Sequence, residues 1–124
     1  MTCKIYNDLY ILSMDRKPIE FRGSALSDLR AFPEAARRTA GFQLDRLQCG
    51  LEPGDWKPMT TVGAGVREIR IADGSGAFRV MYVAKFASAI YVLHCFQKKT
   101  QRTRASDIDV ATRRYRELVR EIRS

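Results

Sequence analysis

The 124-residue sequence predicts an α+β domain, because helical and strand patterns are segregated along the chain and do not alternate. One strand and two helices come first, a meander of three strands follows, and an amphipathic helix closes the pattern. The length allows one domain with a core of its own and leaves little for a second.

"KPIEFRG", residues 17 to 23, alternates Ile19 and Phe21 with Glu20 and Arg22 and suits a first strand ended by Gly23. Ser24 is the expected cap of a short helix from about Ala25 to Ala31. Pro33 disfavours helical geometry at Phe32 and suits the first position of the next helix. That second helix should run to about Cys49, burying Ala36, Ala40, Leu44 and Leu47 while Arg37, Arg38, Asp45 and Arg46 face water. Gly50 stops it. "LEPGDWKPM", residues 51 to 59, reads as a loop that Trp56 pins to the core.

Strands follow at "VREIRIAD" (66 to 73), "AFRVMYVAK" (77 to 85) and "AIYVLHCF" (89 to 96), with links short enough for antiparallel hairpins. A final helix begins after Ser106, with Asp107 and Asp109 at its positive end. Ile108, Ala111, Tyr115, Leu118 and Ile122 form its apolar stripe, and Arg113, Arg116, Arg120 and Arg123 project elsewhere. Residues 1 to 16 read as an extension before a domain of residues 17 to 124, with Met14 an alternative start.

The sequence holds 22 Lys and Arg against 14 Asp and Glu, a formal charge of +8. Such a chain attracts polyanions, so nucleic acid or an acidic protein is the expected partner class. From Lys98 to Arg123 nine basic residues face four acidic ones, so this segment alone supplies +5. Cys3, Cys49 and Cys95 are widely spaced with no C-x-x-C pair, which fits neither a disulfide framework nor a zinc knuckle and favours a reducing compartment. The opening residues lack the apolar core and cleavage site of a signal peptide, and no run approaches a membrane span. A cytoplasmic protein is expected.

Glu68 and Arg70 share one face of their strand, and Arg67, Ile69 and Ile71 share the other. Arg79 is in step with Met81 and Val83, so a guanidinium begins an otherwise apolar face and needs an anion or solvent. The bland explanation is pairing with Glu68 or Asp73. The functional one is that Arg70, Arg79, Lys98 and Lys99 converge on a phosphate, which Arg meets with a planar fork and Lys with a point charge. His94 is expected on the face of Ile90 and Val92, where a lone histidine is more often packed than ligating. His94 and Cys95 point to opposite faces, so no metal site is expected. Cys95 has no evident base and is expected to be a small buried apolar residue. "GAGVREIR" and "GSGAFR" open strands and are turn chemistry, not dinucleotide loops.

The succession "PIEFRGSALSDLRAFP", "DWKPM", "GVREIRI", "FRVMYVAKF" and "YVLHCFQKKTQRT", followed by a basic helix, resembles the RelE/HigB-like toxins of type II toxin–antitoxin systems. The likeness is to their phage-derived Gp49-like branch and covers about residues 17 to 122. It implies a RelE-like fold, a small curved antiparallel sheet packed by two N-terminal helices with a C-terminal basic helix. It further implies an endoribonuclease that cuts mRNA, often at the ribosome, without metal or cofactor, and is silenced by a cognate antitoxin of helix-turn-helix type.

The family's basic positions map onto Arg70, Arg79, Lys98 and Lys99. Attack by a ribose 2′-OH needs a base, stabilisation of the charged phosphorane and an acid for the leaving oxygen. Arg70 and Arg79 are candidates for the second task, and Lys98 or Lys99, crowded by like charge, for the first. His94 is the candidate acid if its ring reaches the cleft. Lys57, Arg67, Arg102 and Arg104 are candidates for holding the RNA backbone. The alternative is a non-catalytic toxin or binding module, acting on DNA gyrase or within a DNA-binding repressor complex, since the fold alone does not assign activity.

Overall fold

The computed structural model describes residues 16–124, so the expected N-terminal extension and the alternative start at Met14 lie outside the described residues. The elements run β1 (Ile19–Phe21), α1 (Ala25–Arg30), α2 (Glu34–Gln48), β2 (Trp56–Pro58), β3 (Val66–Asp73), β4 (Gly76–Val83), β5 (Ile90–Lys98) and α3 (Ala105–Arg123). Five strands form one open sheet in the order β1-β5-β4-β3-β2. The sheet is mixed, which corrects the antiparallel expectation. β3, β4 and β5 form the antiparallel meander, but β1 runs parallel to β5 with Ile19 opposite Ile90. A strand separated from its neighbour by two helices and a meander is free of the hairpin constraint that forces antiparallel pairing.

Local chemistry explains where the elements stop. Gly23 takes φ +54, a conformation that favours glycine, and a Cβ there would fall 2.5 Å from Arg114 Nε. Ser24 stands at the start of α1, but its hydroxyl donates to Asp28 Oδ2 at 2.8 Å and caps no backbone amide. Pro33 sits one position outside α2. Within α2 the stripe Ala36, Ala40, Leu44 and Leu47 is buried as its spacing predicts. Asp45, expected in water, is buried as well, because Arg16 Nη2 reaches its carboxylate at 2.6 Å. The expected loop contains β2, which pairs with β3 through Trp56 and Ile69.

The sheet is packed on both sides. Ile69, Ile71, Phe78, Val80, Tyr82, Ile90, Val92 and Cys95 meet α1 and α2 in one layer. Met81, Val83, Tyr91, Leu93 and Phe96 meet Ala111 and Leu118 of α3 in the other. β5 serves both layers through a bulge. Met81 lies opposite His94 and Tyr82 opposite Val92, so Leu93 is an extra residue in the ladder. His94 therefore does not share the face of Ile90 and Val92 as strict alternation predicts; it turns to the α3 side.

α3 starts two residues earlier than expected, with Arg104 preceding it and Ser106 inside its first turn. Arg114 donates to the Leu93 carbonyl at 2.9 Å and to Ser24 Oγ at 3.0 Å. Arg22 pairs with the Glu121 carboxylate, and Tyr115 donates to the Ala64 carbonyl at 2.8 Å. Ile122, expected in the docked stripe, is 41% exposed because α3 continues beyond its packing layer. Among the described residues no helix is long and apolar enough to cross a membrane. Cys49 is disulfide-bonded, against the expectation of unpaired cysteines, whereas Cys95 is free.

Leu118 is 1% exposed at the centre of the α3 contact, so Leu118→Ala should cost about 2–5 kcal/mol in urea unfolding. Ile122→Ala should cost less than about 0.5 kcal/mol.

Candidate functional site

The ladder places two rows of side chains across the α3 side of the sheet. One row is Arg70, Arg79 and Phe96, each directly opposite the next. The second is Lys57, Glu68, Met81 and His94. Because side chains two residues apart on a strand share a face, Arg79 lies diagonally between Glu68 and His94. Lys98 extends the same face of β5 beyond Phe96 and sits opposite Ala77. Rigid strands thus bring Arg70, Arg79, His94, Lys98 and Lys57 to one region.

The region has an exposed rim and a buried floor. Arg70 is exposed, and Lys57 and Lys98 are partly so. Glu68 is fully buried, Arg79 is 7% exposed and His94 8%. The Glu68 Oε1 atom is 3.5 Å from Arg79 Nε and 3.8 Å from Lys57 Nζ. Among the described residues, neither Glu68 oxygen nor Arg79 Nε makes a hydrogen bond. The carboxylate is therefore held by charge at a distance, in surroundings where an unpaired ion costs several kcal/mol. Its cations are not fully committed to it. Arg79 places Nη1 on the Phe78 carbonyl at 3.0 Å, and the like-charged Arg70 stands opposite Arg79 on β3, a pairing that is unfavourable without an anion between or above the two.

His94 is fixed by α3. Its Nε2 is 2.8 Å from Asp107 Oδ1, and its ring stacks on Phe96 with centroids 5.0 Å apart. Nδ1 is buried and has no hydrogen-bond partner among the described residues. The Asp107 contact holds the imidazole in one orientation and leaves Nδ1 as the nitrogen available to anything entering the floor.

The other candidates lie elsewhere. Arg67 is on the α1/α2 side, its guanidinium 4.0 Å above the Trp56 ring and 2.8 Å from Glu52 Oε2. Lys99 follows the end of β5 and is exposed; Arg102 and Arg104 are exposed on the segment leading into α3. Cys95 faces the other layer, where burial pushes its thiol up to about 12. Among the described residues no three His, Cys, Asp or Glu side chains come together as metal ligands.

Three residues gain importance that their sequence patterns do not convey. Glu68 appears there only as a partner for arginine, with Arg67 before it and Arg70 two residues on, and its complete burial is the informative fact. Asp107 appears as a charge at a helix end, and Phe96 as an apolar strand residue.

Glu68→Ala leaves Arg79 buried without its countercharge and should destabilise the fold by about 3–5 kcal/mol. Glu68→Met combined with Arg79→Met should recover most of that loss in thermal unfolding, as replacement of a whole buried pair is far milder than removal of one partner. The raised folded value of Cys95 means that its thiol stays neutral when the unfolded thiol, near 9.0, begins to ionise. This contribution to stability is complete below pH 9 and is lost as pH rises toward 12. At pH 8 the Cys95 peptide should resist iodoacetamide in the folded protein and react fully in denaturant, as read by mass spectrometry.

The family described as phage-derived protein Gp49-like (DUF891) matches residues 27–116. No curated protein matches the chain. The match runs from α1 into α3 and includes both rows of the site and Asp107. With most of its length covered, the chain belongs to the phage-derived Gp49-like family, which is associated with the toxins of toxin–antitoxin systems.

Proposed function

We propose that this chain is the toxin component of a type II toxin–antitoxin system and an endoribonuclease that cuts mRNA, including mRNA on the ribosome. The observation that carries this reading is the facing pair Arg70 and Arg79, with Lys57 and Lys98 in adjoining positions. A phosphodiester set between the two guanidiniums relieves their repulsion and receives planar, charge-assisted hydrogen bonds. As the 2′-oxygen attacks phosphorus, the bond to the 5′-oxygen breaks, leaving a 2′,3′-cyclic phosphate and a 5′-hydroxyl. Arg70 and Arg79 stabilise the extra negative charge of the phosphorane. Lys98, with Lys99 as its neighbour, is the candidate base that takes the 2′-OH proton.

His94 is the candidate acid through Nδ1, and it delivers a proton to the 5′-oxygen only when substrate displaces the covering Phe96 ring. Asp107, on Nε2, fixes the orientation of the ring. The cations supply the charge stabilisation, so the reaction runs without metal. An antitoxin, encoded beside this gene and carrying a helix-turn-helix, masks the basic rim by charge complementarity.

The burial of His94 favours a second reading, because a site whose acid is enclosed can bind phosphate without cutting it. In that case the protein is a non-catalytic toxin or binding module, acting on a target such as DNA gyrase or as part of a DNA-binding repressor complex. Inducing the protein and mapping RNA ends separates the two: new internal 5′ ends on mRNA support cleavage, whereas intact transcripts with altered supercoiling or DNA breaks assign the toxicity to gyrase.

Arg70→Ala removes an exposed guanidinium and should leave thermal unfolding nearly unchanged while reducing mRNA cleavage at least ~100-fold, the scale of losing one transition-state donor. Asp107→Asn should lower cleavage while leaving thermal unfolding nearly unchanged, with Asp107→Glu restoring part of the rate.

A further inference from the structure

The outer face of α3 carries charge that the cleft does not use. Arg113, Arg116, Arg120 and Arg123 recur at intervals of three, four and three, and all four are exposed on the side away from Ala111 and Leu118. Arg113 lies 3.9 Å from Glu117 Oε1, an exposed pair of little worth. The side chains of Arg116, Arg120 and Arg123 have no hydrogen bond or ion pair within the described residues. They are available to an external anion.

The four arginines span about 15 Å of helix, or roughly one cation every 5 Å. A nucleic-acid strand carries one negative charge per about 3.4 Å of axis, so the row and a phosphate backbone have similar linear charge densities. A protein partner would be expected to bury an apolar centre; here the apolar surface, Tyr115 and Val119 with the exposed Ile122, lies along one edge of the row, and guanidiniums make up the rest of the face. Single-stranded RNA is usually held by aromatic stacking. The aromatic nearest the row, Tyr115, is half-buried with its hydroxyl engaged by Ala64. What remains is a rigid line of guanidiniums matched to a regular sugar-phosphate backbone.

We infer that the outer face of α3 binds the backbone of double-helical RNA, at a place separate from the cleft. This rests on RNA being the target of the cleft and adds a second contact, to structured RNA bordering the strand that is cut. The same helix serves both, since its first turn supplies Asp107 to His94 while its later turns present the arginine row.

The test uses the full chain and an RNA duplex of about 16 base pairs, a length over which a protein can follow the backbone. The duplex is 2′-O-methylated so that it reports binding alone. The triple variant R116E/R120E/R123E should weaken duplex binding at least ~10-fold and flatten the plot of log affinity against log salt by about two to three. The triple glutamine variant should show a smaller loss of the same sign, and both should cut a short single-stranded RNA at the wild-type rate. Unchanged duplex affinity would overturn the inference. So would a matching loss of single-strand cleavage, which would make the row part of the cleft, or a loss of antitoxin binding alone, which would assign the face to an acidic protein. If the wild-type chain cuts no RNA, duplex binding still decides this point separately.

Discussion

Leu93 is one residue more than the ladder between β4 and β5 can pair, and the strand accommodates it by turning Leu93 and His94 toward the same layer. Were Leu93 instead paired in strict alternation, the segment after it would be inverted, with Cys95 toward α3 and His94, Phe96 and Lys98 toward α1 and α2. The bulge therefore places the histidine beside the arginines. It also couples this placement to the last helix, because Arg114 of α3 holds the Leu93 carbonyl and Asp107 holds the His94 ring. Strand register, helix docking and site geometry are one arrangement.

The electrostatic centre has a similar economy. Surface pairs such as Arg38 with Glu34 add little in high dielectric. Glu68 is different because it is fully buried and its oxygens lack hydrogen bonds among the described residues. A lone carboxylate there would be unstable, and a lone Arg79 nearly as much so. Together they are tolerable, and the pair leaves an excess of positive charge from Arg70, Lys57 and Lys98 facing outward. A charged floor of this kind stabilises the fold less than an apolar one would, which suits a surface shaped for an anion more than for packing.

Much of the architecture was legible because helix and strand periodicities differ and because Pro33, Gly23 and Gly50 punctuate them. The bounds of β3 and the buried stripe of α2 follow directly from spacing. What spacing misses are contacts between distant segments. Neither the parallel pairing of β1 with β5 nor the burial of Asp45 under Arg16 has a local signal. The bulge is the sharpest example: alternation assigns His94 to the wrong face because an unpaired residue cannot be recognised without its partner strand. Arg70, Arg79 and Lys98 were legible as a convergent set, since they lie on successive meander strands. The buried state of Glu68 and the tie between His94 and Asp107 depend on a third dimension that one-dimensional patterns lack.

The pairing of residue 19 with residue 90 also governs the order in which the chain acquires its shape during synthesis. β1, α1 and α2 emerge first but have no sheet to rest on until β5 has been made. α3, which supplies Asp107 and Arg114, follows β5. A growing chain cannot complete the histidine contact or close the second layer until α3 has been made. The groups that orient the histidine thus arrive after the strands that carry Arg70, Arg79 and Lys98, and the charged floor exists as a sheet before it has its cover.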